Sequence, residues 1–231
     1  MFENCKFETC VNCFNKAPLF ELMSKKELEM IQDTRFEVTF KPDEVIYKQG
    51  TKTTQIVSIT EGLAKAYIEG LNHKNFILEL VKPTTVISGP GTYVDYKHHF
   101  SLKAVEETNC CFFDLKTFKD IVSKNAKLSD FLIHMISKKS ISYYQKFISI
   151  TQKQVNGRIA ENLLYLHSYI YQTNPMELTI TFQDIAEMTG MSKDTAVRVL
   201  KDLCNEKIIE ISNNKLTILN EAKLSQLSEL G

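Results

Sequence analysis

Four polar side chains in one short segment carry groups that can recognise the edges of base pairs. They are Lys193, Asp194, Thr195 and Arg198. Lysine and arginine donate to guanine O6 and N7 or to phosphate, aspartate accepts from cytosine N4, and a threonine methyl contacts the methyl of thymine. Ser192 precedes these residues, and Val197 and Lys201 lie on the same outward side. Together these residue types predict recognition of double-stranded DNA.

A second reactive group consists of cysteines. Three of them lie near the amino terminus, at Cys5, Cys10 and Cys13, and two are adjacent, at Cys110 and Cys111. Thiolates of this kind bind iron–sulfur clusters or zinc, or form redox pairs. Free cysteines are also common as small buried side chains, and Cys204 fits that description. The sequence leaves a cluster, another metal or redox role, and a purely structural role open.

A helix-turn-helix would position the DNA-reading side chains. Thr181 can cap the first helix, because its hydroxyl accepts a hydrogen bond from a free amide of the opening turn. Gly190 then permits a backbone reversal that a residue with a Cβ resists, and Ser192 caps the second helix. The buried side of that second helix repeats at helical spacing, at Ala196, Val199, Leu200 and Leu203. Residues 193–204 are therefore predicted to enter the major groove.

Patterns on both sides extend this motif to a winged helix. Residues 156–171 form an amphipathic helical pattern before it. Two short apolar runs follow it, at residues 208–211 and 215–218, and Asn213 and Asn214 separate them. Asparagine tolerates the positive φ of a tight hairpin turn. The two runs are therefore predicted to pair as the wing.

Between residues 35 and 115 the pattern changes to that of short β-strands. Alternating or apolar runs cover residues 35–40, 45–48, 55–60, 63–69, 76–81, 100–105 and 110–115. Many short strands at even spacing are typical of a sandwich or a small barrel. Short helices are predicted on either side, at residues 24–31 and 116–122.

A long helical segment is predicted from about residue 128 to residue 151. It could pack entirely against the β-domain. It could also place one apolar stripe on its own domain and another on a second copy of the chain. We favour the second arrangement, because recognition of a palindrome by a helix-turn-helix usually needs two copies.

Composition and charge set wider limits on function. The chain carries 28 basic and 28 acidic residues, but residues 155–231 hold 7 basic and 10 acidic ones. DNA affinity would then depend on a few well-placed cations. These are Lys193, Arg198, Lys201 and Lys215. No apolar run is long enough for a membrane span, and the amino terminus lacks the pattern of a signal peptide, so a cytoplasmic location is expected.

The order of these elements resembles the CRP/FNR family of bacterial transcription factors. The resemblance covers nearly the whole chain and is most specific in residues 185–190 and 192–198. It implies an α+β fold with an antiparallel β-roll (jelly roll) sensor domain at residues 1–125, a central dimerisation helix at 126–152 and a winged helix-turn-helix at 153–231. It further implies a transcription regulator that binds a palindromic promoter site as a homodimer, with RNA polymerase as another partner.

The resemblance also names cyclic AMP as a signal to consider for the sensor domain. Members that bind cyclic AMP hold its ribose with a Gly-Glu pair and its phosphate with an Arg-Ser pair. Here Pro90 stands in place of the glutamate, and no arginine precedes Ser101. A cyclic phosphate would lose both its charge partner and a ribose acceptor. Cyclic AMP is therefore not expected to be the effector.

Two other signals depend on cysteines or histidines. Cluster-binding members use three amino-terminal cysteines and one on the last strand of the roll, although the spacing here differs from that of the best-known ones. The resemblance thus implies a metal site at Cys5, Cys10, Cys13 and Cys111. Haem is another alternative, with axial ligands from His73, His98 or His99.

Two other classes of protein stay open as alternatives. Cupin-type metal enzymes also use a small β-roll, but they need a His-x-His pair. His98 and His99 are adjacent and would point to opposite faces of a strand. The sequence lacks a nucleophile elbow, a P-loop and paired catalytic carboxylates, so no enzymatic activity is expected. The other alternative is a β-roll scaffold that no longer binds DNA, which the acidic excess of the terminal domain favours.

Overall fold

Two four-stranded sheets with antiparallel pairing make up the β-rich part of the chain. The computed structural model describes residues 9–13 and 15–231. The strands are β1 (Phe36–Phe40), β2 (Val45–Tyr47), β3 (Gln55–Glu61), β4 (Ala64–Glu69), β5 (Asn75–Val81), β6 (Thr85–Ile87), β7 (Ser101–Ala104) and β8 (Thr108–Asp114). One sheet has the order β1-β8-β3-β6 and the other β2-β7-β4-β5. This arrangement confirms the antiparallel β-roll.

Strand β8 lies inside the first sheet and is buried on both faces. Because side chains alternate along a strand, Phe113 and Phe112 point to opposite sides. Phe113 packs against Phe20, with ring centroids 5.5 Å apart, whereas Phe112 stacks on Phe36 at 5.1 Å. The unbroken apolar run in this part of the sequence is typical of such double burial.

Two short helices contribute to the core around Phe113. Helix α1 (Lys25–Gln32) begins at Ser24, whose hydroxyl accepts from the Glu27 amide while the Glu27 carboxylate accepts from the Ser24 amide. This reciprocal capping box begins the short helix that the sequence predicts at residues 24–31. Helix α2 (Leu115–Lys124) is capped by the Asp114 side chain. Buried residues of both helices belong to one hydrophobic cluster with Phe113.

The chain divides into two compact units, and two elements contribute residues to both. The first unit comprises the described residues up to Glu69 together with Glu79–Ser140, and the second comprises Gly70–Leu78 with Ile141–Gly231. The boundaries therefore fall within β5 and within the long helix α3 (Ala126–Gln152). The division into three domains at residues 125 and 152 stays a prediction.

The second unit carries the winged helix. Its elements after α3 are α4 (Val155–Tyr165) with a π-helical continuation (Leu166–Tyr171), β9 (Met176–Glu177), α5 (Phe182–Thr189), α6 (Lys193–Asn205), β10 (Ile209–Ser212), β11 (Lys215–Ile218) and α7 (Glu221–Leu230). The strands pair in the order β10-β11-β9. Fully buried Ile159, Leu163 and Leu166 form part of the core of this unit. This confirms the winged helix-turn-helix.

The sequence pattern predicts neither β6 nor β9. They have three and two residues, which is too short for an alternating pattern to be visible. Each exists through pairing with a distant strand, β6 with β3 and β9 with β11. In the part of the chain that the structure describes, no helix combines the length and the apolar composition needed to cross a membrane.

Replacing Phe118 by alanine should lower the free energy of unfolding of the first unit by about 3–5 kcal/mol. The Phe118 side chain is fully buried, and its ring lies 5.8 Å from that of Phe113. Chemical denaturation followed by circular dichroism measures the change. Val94→Ala, at a side chain that is 77% exposed, is the control and should change stability by less than about 0.5 kcal/mol. Equal effects of the two substitutions would contradict the packing.

Candidate nucleic-acid interface and sensor cavity

The first helix of the helix-turn-helix begins at a reciprocal cap. Thr181 Oγ1 accepts from the Asp184 amide at 3.1 Å, and Asp184 Oδ2 accepts from the Thr181 amide at 2.8 Å. The sequence predicts Thr181 as the cap, but the returning bond from Asp184 is an addition. It fixes the first residue of α5 because both free backbone donors are satisfied.

The turn between α5 and α6 depends on one glycine and one arginine. Gly190 has φ 64° and ψ 41°, the left-handed conformation that glycine adopts without strain. Arg158 of α4 donates from Nη1 to the carbonyl oxygen of Thr189 at 2.9 Å and of Gly190 at 3.4 Å. These carbonyls have no partner within α5, so a charged donor from another helix completes its end. Sequence reasoning missed Arg158, because nothing local shows where its guanidinium points.

The recognition helix α6 separates its buried side from its polar side. Ser192 Oγ accepts from the Thr195 amide at 3.2 Å and caps the helix. The predicted apolar residues are buried, at Ala196, Val199, Leu200 and Leu203. Ser192 and the charged candidates are exposed, at Lys193, Asp194, Arg198 and Lys201, whereas Thr195 and Val197 are half-buried.

The cations of α6 are available to a ligand. Among the residues that the structure describes, Lys193, Arg198 and Lys201 form no ion pair within 4.0 Å. An exposed guanidinium stays hydrated, and all of its N–H donors are available to a phosphate or a guanine edge. These cations are therefore positioned to bind a phosphate or a guanine edge.

The wing forms as the sequence predicts, but its lysine is occupied. Asn213 and Asn214 adopt φ values of 48° and 63°, as a tight hairpin turn requires. Lys215 Nζ lies 2.8 Å from Glu177 Oε1 on the neighbouring strand. Hydrogen bonding in this ion pair lowers the pKa of Glu177 and raises that of Lys215. Lys215 is therefore a weaker candidate for a phosphate contact than the cations of α6.

A cavity of about 30 Å³ in the first unit brings three of the predicted cysteines together. Cys10, Cys13 and Cys111 line it, with Ser58 and Arg35 among the polar residues. The cysteines reach it from two directions: Cys111 belongs to β8, and the other two belong to the segment before α1. Cys5, the fourth predicted ligand, lies outside the described residues.

The surroundings of Cys111 oppose a metal-bound thiolate. Cys111 Sγ donates to Glu37 Oε1 at 3.4 Å, and the same oxygen lies 3.1 Å from Arg35 Nη1. Burial, followed by the charge of Glu37, raises the pKa of Cys111. Within the described ranges, no three His, Cys, Asp or Glu side chains converge on a common metal position. The described thiols do not make a cluster site by themselves, and the set of four cysteines stays a prediction.

Among the residues considered for cyclic AMP and haem, Ser101, His98 and His99 contact protein groups. The side chain of His73 lies outside the described part of the chain. Ser101 Oγ accepts from the Gln49 amide at 2.9 Å and donates to Glu69 Oε1 at 2.7 Å. A carboxylate at this position would repel a phosphate. The His98 ring stacks on Tyr47 at 3.9 Å between centroids, and burial lowers its pKa. His99 Nε2 lies 3.0 Å from Asp95 Oδ1.

Comparison with known proteins places both units in one family. Residues 157–227 match the family model described as Crp-like helix-turn-helix domain, and residues 37–125 match that of the cyclic nucleotide-binding domain. The chain belongs to the CRP/FNR family. It is a DNA-binding transcription regulator with a sensor domain of the cyclic-nucleotide-binding type. The two matches leave out all of α3, which connects them in sequence.

Individual relatives of this CRP/FNR protein are distant but cover most of the chain. The anaerobic regulatory protein of Aggregatibacter actinomycetemcomitans is 20% identical, over 95% of this chain and 87% of its own. The fumarate and nitrate reduction regulatory protein of Vibrio cholerae is 22% identical, over 79% of this chain and 74% of its own. The structure of FixK2 from Bradyrhizobium japonicum has a TM-score of 0.76 at 18% identity, over 84% of this chain and 96% of its own. That likeness shows the fold.

Replacing Arg158 by methionine should lower the free energy of unfolding of the second unit by about 1.5–3 kcal/mol. The change keeps the aliphatic stem and removes the bonds to Thr189 and Gly190. Lys201→Met, at an exposed residue, is the matched control and should cost less than about 0.5 kcal/mol. Thermal denaturation of both variants and the parent measures the difference. An Arg158→Met protein as stable as the control would show that these bonds do not hold the turn.

Proposed function

We propose that this CRP/FNR regulator binds a palindromic promoter site as a homodimer and reads it with α6. Direct base or phosphate contacts are assigned to Lys193, Asp194, Thr195 and Arg198. The observation that carries the proposal is that Lys193, Asp194 and Arg198 are exposed and Thr195 is half-buried, whereas the apolar residues of α6 are buried. Ser192 caps the helix beside them and contributes a hydroxyl for phosphate, while Val197 and Lys201 extend the contact surface.

Each side chain has a separate role in this assignment. Arg198 is the residue that can bind a guanine with two parallel hydrogen bonds, because its guanidinium is a planar fork. Lys193 is a point charge in the first turn, where the helix start approaches the backbone of the duplex. Asp194 accepts from a cytosine amino group, and it disfavours a phosphate at its own position. The surface therefore selects sequence rather than merely binding an anion.

Charge placement favours local recognition over general attraction. Residues 155–231 carry an acidic excess, with 7 basic and 10 acidic residues. A single winged helix of this composition gains little from phosphate neutralisation. Two copies double those contacts, which supports a homodimer on a two-fold symmetric site. RNA polymerase is proposed as the partner of the promoter-bound dimer, in keeping with a regulator of transcription.

An exposed apolar stripe on α3 supports dimerisation. Its members are 49–69% exposed and are spaced by one to five residues: Ile133, Ile136, Ile141, Tyr144, Phe147 and Ile148. Large exposed apolar patches mark interaction surfaces. A second copy of the same helix presents the same stripe and can cover it in a parallel pair. We infer that α3 is the dimerisation helix.

The cysteine cavity is the proposed point of entry for the signal. The cysteines that we assign to this role are Cys5, Cys10, Cys13 and Cys111. Its support is the cavity that the three described cysteines line, next to the ion pair of half-buried Arg35 and Glu37. Ser101, by contrast, already bonds a carboxylate where a cyclic phosphate would bind.

Arg198→Ala should weaken binding to a specific site by about 1–3 kcal/mol and relax the preference for one base pair. Fluorescence anisotropy with promoter fragments at fixed salt measures the affinity, and a panel of single-base variants of the site measures the preference. Lys25→Ala, which removes an exposed cation of the first unit, is the control and should leave both unchanged. Unaltered affinity and preference in the Arg198 variant would count against its assigned role.

Phe147→Asp should convert the dimer to a monomer. The side chain is 69% exposed, so an isolated chain tolerates the charge, whereas a helix pair would bury it without a partner. Size-exclusion chromatography with light scattering gives the mass of each species. Val94→Asp introduces the same charge at a residue 77% exposed outside α3 and should remain dimeric. Identical masses for the two variants would refute the assignment of α3.

A further inference from the structure

Two side chains from outside the helix-turn-helix lie beside its turn. A Cβ on Gly190 would lie 3.6 Å from Cγ2 of Ile150, which belongs to α3, and 3.7 Å from Cε2 of Phe76, which belongs to β5. These are ordinary van der Waals distances. Arg158 binds the same turn by hydrogen bonds to the carbonyl oxygens of Thr189 and Gly190. The turn therefore has one charged donor and two apolar side chains as neighbours from other elements.

Phe76 is in turn held by a lysine of α3. Lys146 Nζ lies 5.0 Å from the centroid of the Phe76 ring, over which it is placed. The same nitrogen donates to the carbonyl oxygens of Ile77 and Leu78 at 2.7 and 2.9 Å. An ammonium is attracted to the face of an aromatic ring, and an edge strand such as β5 can use side-chain donors for its backbone. Lys146 therefore fixes both the ring of Phe76 and the backbone that follows it.

One face of α3 supplies both Lys146 and Ile150. They are four residues apart in the same α-helix, so their side chains are neighbours on its surface. Both belong to the second unit, and so does Phe76, because the division of β5 falls after Leu78. The start of β5 is therefore built into the unit that carries α6, although the rest of the strand belongs to the first unit.

We propose that Phe76 is a positioning residue for DNA recognition and that Lys146 keeps it in place. The turn at Gly190 leads directly to Ser192, which caps α6, so the position of the turn sets where the recognition helix begins. An apolar ring packed beside the turn resists its displacement. This role rests on the proposed reading of DNA by α6, and the two residues act through the turn rather than through a contact with the duplex.

Specific binding should depend on Phe76 more than general binding does. Hydrogen bonds to base edges require a helix held within about 0.5 Å of its productive position, whereas the number of phosphate contacts sets the salt dependence. Phe76→Ala should therefore weaken binding to a specific site by about 2- to 30-fold, the range for residues that act without touching the ligand. Affinity for unrelated DNA and the slope of affinity against salt should stay unchanged.

The test measures the binding of full-length protein to two fluorescein-labelled duplexes by anisotropy. One duplex is the site that the parent protein selects from a random pool, and the other has the same length and composition with that site scrambled. The ratio of the two affinities at fixed salt is the decisive quantity. A residue that only stabilises the fold would lower the fraction of active protein and leave this ratio unchanged.

Variants of the lysine test how Phe76 is held. Lys146→Met should lower the affinity ratio, and Lys146→Arg should restore it, because a guanidinium also donates to carbonyls and stacks on a ring. The double variant with Phe76→Ala should be no weaker than Phe76→Ala alone, since the lysine acts through the ring. Lys139→Met is the matched control: Lys139 is another lysine of α3 that binds β5, through Glu79, and its loss should leave the ratio unchanged.

Thermal denaturation and light scattering establish that each variant is folded and associated like the parent. Phe76 lies outside α3, so its variant decides the outcome even if Lys146→Met alters the association of that helix. If Phe76→Ala is not folded at the assay temperature, Lys146→Met against Lys146→Arg gives the same comparison. A parental affinity ratio in Phe76→Ala, or an equal loss on both duplexes, would overturn the proposal.

Arg198→Ala measured in parallel separates the two proposals. If this variant binds the selected site as the parent does, the assigned reading of DNA by α6 fails. If it weakens binding while Phe76→Ala does not, the reading stands and only the positioning role of Phe76 fails.

Discussion

The hydrogen bonds from Arg158 to the end of α5 fix the angle at which the recognition helix leaves the turn. A helix-turn-helix reads DNA only if its second helix is held rigidly against the first. Here the buried apolar side of α6 sets its rotation, and the guanidinium on Thr189 and Gly190 sets the turn. The exposed face of α6 is therefore a consequence of the packing on its other side.

Residues of α3 and β5 that belong to the second unit lie close to the same turn. A side chain at Gly190 would begin 3.6 Å from Ile150 of α3 and 3.7 Å from Phe76 of β5. Lys146 of α3 donates to the carbonyl oxygens of Ile77 and Leu78 at 2.7 and 2.9 Å. Helix α3 and strand β5 each continue into the first unit.

Sequence alone predicts the helix-turn-helix well because its determinants are local. Thr181, Gly190 and Ser192 act on the backbone within three residues of themselves, and the apolar spacing of α6 needs no partner to be recognised. The roles of Arg158 and Glu37 cannot be predicted in this way. Arg158 binds a carbonyl 31 residues away, and Glu37 accepts from a thiol 74 residues away. The short strands β6 and β9 cannot be predicted from local sequence either, because they are defined by pairing with distant strands.

The adjacent cysteines of β8 show how one residue of offset decides chemistry. Alternation along the strand sends their side chains to opposite faces. Cys110 is fully buried, and burial raises its pKa to about 12. Burial also raises the pKa of Cys111. Cys111 faces the cavity, where it meets a carboxylate on one side and a free hydroxyl on the other. Sequence spacing could propose either cysteine as a ligand, but only the strand register shows which of them lines the cavity. Cys111 therefore joins the cavity to an inner strand of the first sheet, which pairs with β1 on one side and β3 on the other.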